Sequence, residues 1–160
     1  MSENFPLAAV LAKDCVNLGA LDLSLVLLKS DSEFPWLILV PQRPHLVELC
    51  DLNDTDAALL THEIRLVAQG LQNFLAASAQ GRPSKMNIAA LGNQVRQLHI
   101  HIIARYQTDS AWPNPIWSLG KYQAAYAAAP DMPNPQANHW QTSLAEQAAR
   151  KFFASLTARQ

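Results

Sequence analysis

Hydrophobic positions recur along this chain in two periods, and the change from one to the other lays out its elements. "LSLVLLKS" (23–30) and "WLILVPQ" (36–42) are short branched-apolar runs divided by the polar "DSEFP". They predict two strands joined as a hairpin. Pro35 and Pro41 bracket the second run, where a strand tolerates a missing N–H. From residue 53 to 80 the spacing becomes helical: Leu60, Ile64, Val67, Leu71 and Phe74 form one apolar stripe, and Asn53 offers an N-cap before acidic first-turn residues. Gly81, Pro83 and Ser84 end that helix, and "KMNIAALG" (85–92) predicts a third strand. A turn around Gly92 and Asn93 then leads into "QLHIHII" (97–103), where polar and apolar residues alternate. Alternation places Leu98, Ile100 and Ile102 on a core face and Gln97, His99 and His101 on the opposite, solvent face.

Strand, strand, long helix, strand, strand, with short connections, predicts an α+β fold: an antiparallel sheet with a long helix packed on one face. The 160 residues suit a single domain with a core over about 23–106. Residues 107–140 lack clear periodicity and hold half of the ten prolines along with Trp112, Trp117 and Trp140. The alanine-rich stretch 141–159 closes the chain with a second helical pattern.

Composition narrows the classes of function. With 49% hydrophobic residues, 16% charged residues and a formal net charge of −1, the chain has no general attraction for a nucleic-acid polymer or an anionic membrane. A nucleotide would have to be held by local donors. The N-terminus has no basic region ahead of its short apolar run, and no apolar stretch approaches the roughly 20 residues of a membrane-spanning helix. A cytoplasmic location is expected. Cys15 and Cys50, without CxxC spacing, are expected to be buried free thiols.

Two imidazoles and a carboxamide on one strand face admit three readings. They can be ordinary polar surface residues. They can ligate a metal, although no carboxylate or cysteine follows at a useful spacing and "THEIRL" (61–66) has no second histidine for HExxH. Or they can handle phosphate, because a neutral imidazole is a competent nucleophile toward phosphorus and neighbouring donors can bind the oxygens as charge moves onto them. Of the remaining candidates, His62 reads as a helix surface residue, His45 as a loop residue, and His139 has no evident task. Trp112 and Trp117 can stack on a base or pin the proline-rich segment to the sheet. Arg105 shares the histidine face and can approach phosphate or lie on the surface.

"QLHIHIIAR", taken with "NIAALGNQV" and "WLILVPQRP", resembles the histidine triad (HIT) superfamily, whose signature is His-φ-His-φ-His-φ-φ with φ apolar. The similarity is to bacterial members described as diadenosine tetraphosphate hydrolase-like, and it extends to the tail "AWPNPIWSLG". It implies a nucleotide hydrolase or nucleotidyl transferase, with a dinucleoside polyphosphate as the expected substrate. The middle histidine, here His99, would attack the α-phosphate and form a nucleotidyl-histidine. His101 would hydrogen-bond the phosphate. Gln97 stands where the first histidine belongs, and Trp36 where many members carry another. Asn87, Asn93 and Gln94 match substrate-contacting positions, and Ser30 stands where a ribose-contacting asparagine is common. No resident metal is implied, although Mg²⁺ could accompany a polyphosphate. A homodimer is implied. The departures at Gln97, Trp36 and Ser30 point to an alternative: a nucleotide-binding protein with little turnover.

Overall fold

The computed structural model describes residues 5–30, 33–118 and 142–158. A short helix α1 (Ala9–Asp14) leads directly into β1 (Cys15–Ala20). There follow β2 (Ser24–Lys29), β3 (Trp36–Pro41), the long helix α2 (Asp54–Ala76), β4 (Lys85–Ala90), β5 (Ile100–Arg105) and a C-terminal helix α3 (Thr142–Thr157). The five strands form one antiparallel sheet in the order β1-β2-β3-β5-β4. The α+β architecture read from the sequence is the observed one, enlarged by an edge strand, β1, and by α1.

β1 escapes the sequence pattern because it is irregular. Its register with β2 slips between Asn17 and Gly19, and Gly19 sits at φ +147°. A Cβ there would lie 2.3 Å from the Phe153 ring, so glycine is what lets α3 close against this edge. Helix α2 starts where capping predicts: the Asn53 side chain accepts the Asp56 backbone N–H at 2.9 Å. Arg43 grips the Asp56 carboxylate with two bonds of 2.8 Å, which holds that carboxyl below the usual range. Of the predicted stripe, Leu60, Val67 and Leu71 are fully buried, while Ile64 and Phe74 pack at its margin. Glu63, buried on the same helix, accepts the Leu23 N–H at 2.7 Å and so ties α2 to the β1–β2 turn.

The main core lies between α2, α3 and one face of the sheet, supplied by Val26, Leu28, Leu37, Leu39, Ile100, Ile102 and Ala104. Phe152 and Leu156 of α3 seal it, with Phe152 edge-on to Phe74 at 5.9 Å. The alternating residues on the other face are also buried. They pack in two smaller clusters, Leu11, Leu27, Ile38 and Val40 in one and Phe34, Ile103, Ala111 and Ile116 in the other. Residues 5–11 and 111–117 cover that face. The expected solvent face is therefore a second packed layer, and the site lies within it.

One further expectation changes. Cys50 is exposed and only Cys15 is partly buried. Trp140 and His139 lie outside the described residues, as does the stretch from 119 to 141. No helix among the described residues is long and apolar enough to cross a membrane.

Candidate functional site

A cleft of about 390 Å³ opens on the second face of the sheet. Strand pairing builds its floor: Ile38 of β3 lies opposite His101 of β5, which sets an apolar side chain beside an imidazole. Val10 and Leu11 of α1 line one wall, Leu91 to Val95 another, and Ile116 and Trp117 a third. Asp14, Cys15 and Lys29 also line it, with Lys29 Nζ 3.8 Å from the Asp14 carboxylate. Burial pushes the Cys15 thiol up to about 11, so it stays protonated at neutral pH and is not a nucleophile.

His99 and His101 both line this cleft and are only 6% and 9% exposed. The ladder of β5 starts at Ile100, so His99 belongs to the segment leading into the strand. Its position depends on a local bond: His99 Nδ1 lies 2.7 Å from the Gln97 backbone carbonyl oxygen. A carbonyl can only accept, so Nδ1 carries the proton and Nε2 keeps the lone pair.

His101 has the opposite arrangement. The indole Nε1–H of Trp36 donates to its Nδ1 at 3.1 Å. An indole nitrogen can only donate, so His101 Nδ1 holds the lone pair and Nε2 carries the hydrogen. The two rings meet edge to face, with centroids 4.8 Å apart. Burial first, and the neighbouring His99 second, hold the His101 imidazole down to about 4, so it is neutral at pH 7. One ring thus offers a lone pair and the adjacent ring an N–H.

The other expected site residues divide. Asn93 and Gln94 line the cleft. Gln97 does not: its Nε2 donates to the Pro6 carbonyl at 3.0 Å, and its Oε1 accepts the Ala8 N–H at 2.8 Å. Its side chain anchors the segment that carries α1, and its backbone orients His99. Asn87 turns to the Arg105 guanidinium at 2.8 Å and is not among the cleft-lining residues. Ser30, at the end of β2, is likewise outside the cleft lining.

Arg105 is 1% exposed, so it is not a surface residue. It is paired with Asp109 through two bonds of 2.7 and 2.8 Å and covered by the rings of Phe34 and Trp112. Trp112 therefore pins the segment after β5 against the sheet. Trp117 lies in the cleft, tilted against His101 with centroids 5.3 Å apart. Sequence reasoning missed Asp14, Cys15, Lys29 and the α1 wall. The available signal was the apolar alternation of Val16 and Leu18, too short and too close to a glycine to stand out. Among the described residues no three His, Cys, Asp or Glu side chains converge as a metal site.

Comparison with known proteins agrees with this arrangement. The HIT domain family model matches residues 11–108. A histidine triad protein from Bradyrhizobium japonicum is similar at 40% identity, over 78% of this chain and 94% of its own, with a TM-score of 0.66. One from Marinobacter aquaeolei VT8 is similar at 32% identity over 97% of each chain, with a TM-score of 0.74. A hypothetical histidine triad nucleotide-binding protein from Sulfolobus tokodaii, 13% identical with a TM-score of 0.56 over 89% of this chain and 85% of its own, shares the fold. Among curated proteins none matches the chain. A family match across more than half the chain and a relative of 32% identity along nearly its whole length settle its kinship: the chain belongs to the histidine triad family.

Proposed function

We propose that this protein is a nucleotide hydrolase or nucleotidyl transferase that acts at the α-phosphate through His99, with a dinucleoside polyphosphate as the preferred substrate. The observation that carries this reading is the bond from His99 Nδ1–H to the Gln97 carbonyl, which leaves a nucleophilic Nε2 in a cleft of nucleotide size. Nε2 attacks the α-phosphorus. A P–N bond forms, the P–O bond to the leaving phosphate chain breaks, and that chain departs with the electron pair. As the imidazole acquires positive charge, its Nδ1–H bond to the carbonyl strengthens and disperses it. His101 Nε2–H donates to the phosphoryl oxygen on which negative charge grows. Water, or another hydroxyl acceptor, then attacks phosphorus from the opposite side and gives up its proton to solvent. The P–N bond breaks, its electrons return to Nε2, and the nucleotide is released.

No resident metal enters this sequence, since the imidazole is already nucleophilic. Mg²⁺ would accompany a polyphosphate as its counter-ion. Lys29, among the described residues the one lysine or arginine lining the cleft, would meet the charged part of the ligand, and the apolar floor at Ile38 would meet a base. Ile88, 46% exposed on the edge strand β4, supports a homodimer in which that edge is paired, and a cytoplasmic location is part of the same proposal.

The alternative, a nucleotide-binding protein with little turnover, is favoured by one specific observation. The Gln97 carboxamide, at the first triad position, is spent on residues 6–8 and does not face the cleft. AMP binding and diadenosine tetraphosphate turnover, measured on one sample, separate the two. Mass spectrometry after incubation with the dinucleotide should reveal a nucleotidyl adduct. His99→Asn should fold, bind AMP, form no adduct and lose several orders of magnitude in rate. Turnover by His99→Asn at the parental rate would exclude the mechanism. Tight AMP binding by the parent without turnover would select the alternative.

A further inference from the structure

We infer that Trp36 is a positioning residue for the phosphate-binding histidine: its indole N–H fixes His101 as a neutral donor with its hydrogen on Nε2. The inference rests on the nucleotide reading of the cleft only for the identity of the ligand. The tautomer follows from geometry. Trp36 Nε1 has a hydrogen and no available lone pair, and it lies 3.1 Å from His101 Nδ1 with the ring centroids 5.3 Å apart at 68°. A proton on Nδ1 would set two N–H groups against each other, so protonation there breaks the bond. Trp117 also packs on the imidazole, with centroids 5.3 Å apart, and its ring centroid lies 5.9 Å from that of Trp36, so the three rings form one cluster. Rotation of the ring to exchange its nitrogens would open both contacts.

The charged and titratable groups around His101 do not supply this effect. Among the described residues they are His99, whose ring meets it edge-on, and Asp14, Cys15 and Lys29 elsewhere in the cleft lining. Arg105, on the same face of β5, is occupied by Asp109 and Asn87. None donates to His101 Nδ1 in the structure. An unassisted imidazole beside His99 would divide its hydrogen between two nitrogens, and a share of molecules would then present a lone pair to the phosphate. Lone pair against phosphate oxygen is repulsive. Trp36 removes that share and leaves His99 as the only one of the two imidazoles whose Nε2 is bare.

The test is ¹⁵N NMR of histidine-labelled protein across pH 5 to 8, with AMP as the probe ligand. In the parent, His101 should show an unprotonated Nδ1 and a protonated Nε2, and it should stay uncharged throughout. Trp36→Phe keeps the aromatic wall and removes only the donor. There His101 should become a tautomer mixture and bind AMP about tenfold more weakly, the lower end of what losing an outer partner costs. A protonated Nδ1 in the parent overturns the inference without any variant. So does Trp36→Phe with an unchanged tautomer. A parent that binds no AMP counts against the nucleotide reading, and the tautomer result still decides the role of Trp36.

Discussion

The two faces of the sheet are both largely buried but held together differently. Ile100, Ile102 and Ala104 of β5 point into the core beneath α2 and α3, among a large cluster of buried apolar side chains. His101, Ile103 and Arg105, one residue out of phase on the same strand, are buried as deeply. There each polar group has a specific partner: Trp36 for His101, Asp109 and Asn87 for Arg105, the Gln97 carbonyl for His99. The first face gains from removing apolar area and is tolerant in detail. The second face gains little from its polar bonds in net terms and loses heavily when one partner is removed. Stability is therefore concentrated on the helix face, and chemistry on the face where orientation is enforced.

Three experiments probe this division, in decreasing order of effect. Phe152→Ala removes a ring that is 1% exposed where α3 seals the core, and should cost about 3–5 kcal/mol in urea or thermal unfolding. Nucleotide affinity in the fraction that remains folded should be unchanged, because Phe152 does not line the cleft. Lost affinity at full folding would show the two faces to be coupled.

Gln97→His restores the residue of the family signature, and the expectation from alternation alone is an intact fold with faster turnover. The structure changes that expectation. The substitution breaks the bonds to Pro6 and Ala8, leaves the Ala8 N–H without its acceptor, and should cost about 1–3 kcal/mol. Amide exchange should speed up at Ala8 and along α1, and binding should weaken as the Val10–Leu11 wall loosens. Unchanged exchange with higher turnover would mean that a histidine at this position reaches the phosphate.

The smallest effect concerns pH. His101 titrates near 6.5 when unfolded and about 4 when folded, so between those values the unfolded chain binds more protons. Its contribution to stability is fully present above pH 6.5 and is lost as pH falls toward 4. His101→Gln should thus show a flatter decline of Tm than the parent over that window. Parallel curves would indicate that His101 accepts its proton readily in the fold.

Much of this was legible in the residues themselves. The helical stripe of α2, its Asn53 cap, the hairpin of β2 and β3 and the alternation in β5 all depend on neighbours close in sequence, and local periodicity reports them directly. The histidine spacing and the family signature likewise lie within one short segment. What stayed hidden depends on contacts between distant positions. Alternation separates the two faces of β5 but says nothing about what covers the second one. The covering segments, residues 5–11 and 111–117, have no periodicity that points to it. Gln97 meets Pro6 and Ala8 across about ninety positions of chain, and Trp36 meets His101 across 65. Residue types alone determined that two imidazoles would stand side by side on one face of the chain at β5. Only the tertiary structure decided that a carbonyl would hold the hydrogen of one on Nδ1 and an indole that of the other on Nε2, because a tautomer is set by the atom facing the ring and not by the ring's place in the sequence.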